Sequence, residues 1–254
     1  MTGIRRSNRR SRRRNLFTTE SNTHYMHSIQ ALKTVDRDIY SSLENPKGAR
    51  YDNKAKYYER VVGTRLFNRL FWGTLPSDYT NFARNAIVDT KGSVLDVGCG
   101  GLTQTASLYK TTTNECVLAD RSVEMLKIAR SRLMDNDGSI PSNIRLLQTD
   151  AFHLPFPHNT FDTVCSFGTI HLFDNKQEFV DGLLRVLKSG GKFYFLSMTT
   201  EKLIARLFMA QLRPFKEFGQ LFSAGQTLSL FDSDRLEVKS YMKGSVIFIY
   251  GQKL

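Results

Sequence analysis

From Lys91 onward, short runs of β-branched and apolar residues alternate with longer stretches whose apolar positions recur at helical spacing. Ser93–Val97, Cys116–Ala119, Ile144–Gln148, Thr163–Phe167 and Lys192–Ser197 read as buried strands. Thr103–Tyr109, Val123–Met134, Lys176–Leu187 and Glu201–Leu212 read as helices. Such alternation predicts a parallel sheet with helices on both faces. The chain then changes character: Leu236–Tyr241 and Ser245–Gly251 flank Lys243-Gly244, the pattern of an antiparallel hairpin. The expected fold is α/β, a doubly wound, Rossmann-like, mostly parallel seven-stranded sheet ending in that hairpin.

Upstream, from about Tyr25 to Ile87, the pattern is helical and aromatic-rich. Tyr51, Ala55 and Tyr58 share one helical face, and Phe67, Leu70 and Phe71 form a second stripe that Gly73 and Pro76 end. The expected organisation is a disordered Arg-rich tail over residues 1–25, a helical lid over 26–90, and a ligand-binding domain over 91–254.

Composition narrows the class. At 41% hydrophobic and 24% charged, 254 residues supply a real core, and no run approaches the roughly 18 apolar residues that span a bilayer. Cys99, Cys116 and Cys165 lie in or beside predicted buried strands without a C-x-x-C pair. They read as free thiols in a reducing, cytoplasmic setting, and no metal site is expected. The formal charge of +12 is uneven. Residues 1–14 hold seven arginines and no acid, and the remainder carries only +5. That arm admits three readings: a solvated tail, a contact for nucleic acid or an anionic membrane, or part of an organelle-targeting segment.

The sharpest local signal is Val94-Leu95-Asp96-Val97-Gly98-Cys99-Gly100-Gly101-Leu102, a buried strand running into a glycine turn. Glycine serves where φ is positive or where backbone must approach a ligand. The nicotinamide fingerprint fails because its third glycine is Thr103, and no Gly-Lys-Ser/Thr follows to make a Walker loop. Asp120 closes the second strand, 22 residues after Gly98, where a carboxylate can accept ribose hydroxyls. Asp150 closes the third, placed for an adenine amino group. Both also suit helix or turn capping. Two acids on one sheet edge, with no phosphate cradle, fit an adenosine bearing a sulfonium better than a nucleotide.

These residues resemble small-molecule class I methyltransferases of the ubiquinone/menaquinone-biosynthesis type, over roughly Tyr51 to Leu254. Gly98, Cys99 and Gly100 match the first motif, with Asp96 at its acidic position. Asp120-Arg121-Ser122, followed by Met125-Leu126 and Ala129, is similar to the ribose-binding acid and its helix. Asp150-Ala151 with Leu154-Pro155-Phe156 resembles the adenine-side motif. Phe161-Asp162 and Leu187-Lys188-Ser189-Gly190-Gly191 are also typical, and Tyr51-Asp52 with Ala55 and Tyr58 resembles a helix that closes over the cofactor. One position departs: Leu102 stands where a common form of the first motif has glycine.

The resemblance implies S-adenosyl-L-methionine as methyl donor, S-adenosyl-L-homocysteine as product, and a small, partly apolar acceptor. It implies a monomer or homodimer. The fourth strand ends Ser166-Phe167-Gly168-Thr169-Ile170-His171, an edge that should face the methyl group, so Ser166 and Phe167 join the expected cofactor contacts. His171 is the candidate general base, because an imidazole titrates near neutrality; packing is its other role. Tyr58 is the second catalytic candidate. A rival reading, an RNA- or protein-directed enzyme or nucleic-acid-associated protein using the basic arm, lacks the Asn/Asp-Pro-Pro-Tyr/Phe ending of similar base-amino methyltransferases and an aromatic-basic platform.

Overall fold

A computed structural model describes residues 29–45 and 64–254. Tyr51, Tyr58, the closing helix of the resemblance and the Arg-rich arm lie outside the described residues.

Two strands come first, β1 (Lys33–Asp36) and β2 (Ile39–Ser41). A short helical stretch over residues 65–72 follows, its last five residues π-helical, and then helix α1 (Pro76–Ile87). The alternating body comprises β3 (Ser93–Val97), α2 (Ala106–Thr111), β4 (Glu115–Asp120), α3 (Val123–Leu133), β5 (Ile144–Gln148), β6 (Phe161–Phe167), α4 (Lys176–Val186) and β7 (Leu187–Met198). Helices α5 (Leu203–Leu212) and α6 (Ala224–Leu228) precede the hairpin β8 (Leu236–Lys243) and β9 (Val246–Lys253).

All strands join one sheet in the order β1-β2-β5-β4-β3-β6-β7-β9-β8. From β2 to β7 neighbours run parallel, and β9 pairs antiparallel with β7. The sheet is thus doubly wound with a terminal hairpin, as expected, but it has nine strands among the described residues rather than seven. The two extra strands come from a stretch read as helical. Lys33–Ser41 is too short to show a period of its own, and β2 exists because its backbone completes the β5 edge, with Ser41 opposite Gln148. Asp36 anchors this hairpin to α3 through Arg130 at 2.7 Å, which holds its carboxyl below the usual range.

All of β3 is buried, as a central parallel strand covered on both faces requires. Its side chains alternate between two cores: Val94 packs with Trp72, Phe82 and Leu118, while Leu95 and Val97 pack with Val117, Phe179 and Phe195. Helix α1 begins with Pro76, and the Asp78 carboxylate accepts the Leu75 N–H at 2.9 Å. It buries Phe82, whose ring meets Phe167, Tyr194, Tyr241, Phe248 and Tyr250 within 6.4 Å. Phe82 therefore joins α1 to β6, β7 and the hairpin. No helix of the described residues is long and apolar enough to cross a membrane.

Phe82→Ala leaves a cavity at this junction and should cost about 3–5 kcal/mol. Urea unfolding checks it; a loss below about 1 kcal/mol would show that the surrounding rings close up.

Candidate active site

Strand order reverses at β3: the chain winds outward through β4 and β5 on one side and through β6 and β7 on the other. The crevice beyond the carboxyl ends of the strands at such a reversal is where open α/β sheets take ligands. A cavity of about 560 Å³ opens there. Its wall includes Asp96, Gly98, Cys99 and Gly100 from the first turn, Asp120 and Arg121 from the end of β4, Asp150 and Ala151 after β5, and Phe167 from β6.

The glycine turn is shaped by two different demands. Gly98 has φ +73°, and a Cβ there would lie 2.3 Å from Thr169 Oγ1, so the loops after β3 and β6 touch only because a side chain is missing. Gly100 has φ +55°, and a Cβ there would meet nothing within 4 Å. Leu102, the departure from the common motif, also adopts a left-handed φ of 60°. A non-glycine residue pays about 1–2 kcal/mol there, which burial of its side chain in the core offsets.

Asp120 and Asp150 come together because their strands are neighbours: Asp120 pairs in register with Gln148, and the Thr149 N–H reaches the Asp120 carbonyl at 3.1 Å. The Asp120 carboxylate accepts the Gly100 N–H at 2.9 Å and the Ser122 N–H at 2.8 Å. Capping of α3 itself falls to Ser122, whose Oγ accepts the Met125 N–H. Asp150 accepts from Phe152 N–H at 3.1 Å and pairs with Arg121 at 3.0 Å across the mouth. Ser41 and Ser42 bond Gln148 and Thr149, so β2 braces the segment that carries Asp150.

Asp96 is the most perturbed acid. It is 1% exposed, accepts the Tyr109 hydroxyl at 2.8 Å on Oδ2, and has no partner for Oδ1 among the described residues. Burial first, and repulsion by Asp120, raise its pKa to about 7. A buried carboxyl with one oxygen unsatisfied favours a cationic or hydrogen-donating ligand beside it. Desolvation, then Asp120 and Asp96, push the Cys99 thiol well up, so it is a neutral part of the wall rather than a nucleophile.

Two expected residues stand apart. Ser166 is fully buried with its hydroxyl unpartnered among the described residues, and it does not line the cavity. His171 is likewise absent from the wall. Its Nδ1 accepts the Met198 N–H at 3.4 Å, its ring packs 5.4 Å from Phe218, and burial with nearby Lys176 pushes its pKa down to about 3. The side chain faces backward from the β6 edge because the loop after Gly168 turns into a short helical segment, Ile170–Leu172. Sequence reading located the edge but not the rotation of that turn. It also missed Asn68, Tyr79, Leu196, Met198 and Lys216 of the wall. These come from separate segments with no shared motif.

The donor set fits an adenosyl sulfonium. Two carboxylates stand at the ends of β4 and β5, an orphaned carboxylate oxygen lies beneath the glycine turn, and open space lies above Gly100. A doubly wound sheet with such a cleft at its reversal is the architecture of class I methyltransferases, among other nucleotide-binding folds. Comparison with known proteins agrees: residues 95–195 match the family model described as Methyltransferase domain. The chain is 33% identical over 171 residues to the ubiquinone/menaquinone biosynthesis C-methyltransferase UbiE of Pseudomonas savastanoi, covering 65% of this chain and 66% of that one. It therefore spans just under two thirds of that relative's length. Among solved structures it is similar in fold to the YcgJ protein of Bacillus subtilis, with a TM-score of 0.57 at 19% identity over 70% of this chain and 98% of that one. Geranyl diphosphate C-methyltransferase of Streptomyces coelicolor gives a TM-score of 0.57 at 14% identity over 88% and 91%. The sequence similarity thus places a methyltransferase domain at residues 95–195.

In the ligand-free protein, Asp96 holds its proton between about pH 4 and 7 while an unfolded aspartate releases it, so this residue's contribution to stability falls as pH rises through that window. Asp96→Asn should remove that decline. Urea midpoints of both proteins from pH 4 to 8 measure it; parallel curves would mean that the Asp96 pKa is ordinary.

Proposed function

We propose that this chain transfers the methyl group of S-adenosyl-L-methionine to a small, partly apolar acceptor. The observation that carries this reading is the composition of the cavity at the strand reversal: carboxylates at its β3–β5 side, and Tyr79, Ala83, Phe167, Leu196 and Met198 at its β6–β7 side. The similarity to ubiquinone/menaquinone C-methyltransferases supports an acceptor of that apolar character.

When bound, the cofactor supplies a methyl carbon on a cationic sulfur, already activated for in-line displacement. The residues here bind, orient and exclude water. Asp120 accepts the ribose hydroxyls at the mouth of the cleft, beside the Gly100 and Ser122 N–H groups that orient its carboxylate. Asp150 and Ala151 border the adenine, with Arg121 closing over that edge. Asp96 and the Gly98–Gly100 turn hold the methionine portion, where the carboxylate answers the ligand's positive charge. The aromatic and thioether wall keeps the acceptor end dry, and positioning there supplies much of the rate. Asn68 and Lys216 give that end its polar groups for orienting an acceptor. Tyr51 and Tyr58 retain the closing role that the resemblance gives them.

His171 takes a positioning role in this reading. A neutral imidazole that receives a backbone N–H behind Gly168 sets the course of the β6–β7 loops and moves no proton. His171→Asn should lower Tm while the kcat–pH profile keeps its shape between pH 6 and 8. Loss of the acidic limb in that profile, the rise in kcat as a base deprotonates, would restore His171 as the base.

Asp120→Ala should weaken S-adenosyl-L-homocysteine binding by about 1–3 kcal/mol, roughly 5- to 150-fold in Kd. Isothermal calorimetry measures it, and unchanged affinity would refute the ribose role. A screen of apolar acceptors with methyl-labelled cofactor tests the activity itself; label confined to RNA or protein would overturn the small-molecule reading.

A further inference from the structure

Of the nine large apolar side chains exposed among the described residues, six lie on two neighbouring segments: Leu66 and Leu70 on residues 65–72, and Leu203, Ile204, Leu207 and Phe215 on or just after α5. The segments pack through Phe208, whose ring lies 5.6 Å from Phe67 and 4.4 Å from Phe71. Leucines four apart on each, at 66 and 70 and at 203 and 207, flank that seam and stay more than half exposed. A protein surface rarely leaves so many adjacent large apolar groups in water without a partner.

The charge of the same surface identifies the partner. Residues 64–72 and 202–216 contain Arg65, Arg69, Lys202, Arg206, Arg213 and Lys216, all exposed, and no acid. A second copy of this chain docking face to face would set these six cations against their own images, which disfavours a symmetric dimer here. An anionic lipid surface answers both features, taking the leucines among its acyl chains and the cations among its headgroups. The patch also borders the cavity: Asn68 and Lys216, each next in sequence to patch residues, line its wall. We infer that this chain docks on anionic membranes through the leucine-and-cation face of residues 65–72 and α5, with the mouth of its cavity at the lipid boundary. Docking itself does not depend on the methyltransferase reading; its use does, since an apolar acceptor could then enter from the bilayer without crossing water.

Co-sedimentation of the full chain with vesicles tests this. Equimolar phosphatidylcholine/phosphatidylglycerol vesicles should bind it, and phosphatidylcholine alone should bind it at least tenfold more weakly. Leu66→Ser/Leu70→Ser/Leu207→Ser, with the Arg-rich arm intact, should weaken binding to the anionic vesicles at least tenfold. A chain lacking residues 1–20 should keep this dependence on the leucines. Equal binding by the triple variant and the parent would assign membrane affinity to the arm and overturn the proposal. A fall in Tm with binding unchanged would place the leucines under the chain's own residues, and a parent dimer that the triple variant dissociates would place them under a second copy; either result overturns it. Calorimetry with S-adenosyl-L-homocysteine reports the cofactor site separately, so failure of docking and failure of the methyltransferase reading are distinguishable.

Discussion

The Asp120 carboxylate receives the Gly100 N–H with one oxygen and the Ser122 N–H with the other. Those two short bonds tie the turn after β3 to the start of α3, and so fix the floor of the cleft. Arg132 adds to them on the far side of the turn, where it donates to the Gly101 carbonyl and to Thr103 Oγ1. The same carboxylate raises the proton affinity of Asp96 from a distance. One side chain thus sets loop geometry and local electrostatics, and a ligand that engages it meets a site already formed.

The cleft follows from strand order. Three acids reach one cavity because β3, β4 and β5 are parallel neighbours whose carboxyl ends lie on one edge, and Gly98 lets the β6 loop close from the other side. Parallel pairing demands coverage of both faces, which the two cores provide. Phe82 and its ring partners then connect α1 to the hairpin and hold the apolar half of the wall beside the polar half. The division of the cavity into a carboxylate side and an aromatic side is therefore a consequence of topology, and it suits a cationic cofactor meeting an apolar acceptor.

Two segments outside the alternating body extend this logic. Strand β2 adds a parallel neighbour to β5 and braces the backbone leading to Asp150. Residues 65–72 and the stretch from α5 to Lys216 carry the wall residues Asn68 and Lys216 together with exposed leucines and cations. The body supplies the carboxylate side of the cavity, while Asn68 and Lys216 from the flanking segments add to its wall.

The alternation of apolar runs with helical periods determined the doubly wound fold, and the glycine turn with acids closing successive strands determined the carboxylate side of the cleft. Both signals are local: a buried parallel strand needs continuous apolar residues, and a sharp turn into a ligand crevice needs glycine. Tertiary structure decided the rest. The strands at Lys33–Ser41 form only because an edge of β5 awaits them, which no propensity within nine residues encodes. His171 turns away from the cavity because a helical turn rotates it toward Met198 and Phe218, partners 27 and 47 positions distant in the chain. Asn68, Tyr79 and Lys216 share one wall only because residues 65–72, α1 and the segment after α5 reach the same sheet edge; a pocket wall assembled from such separated segments leaves no periodic trace in the sequence.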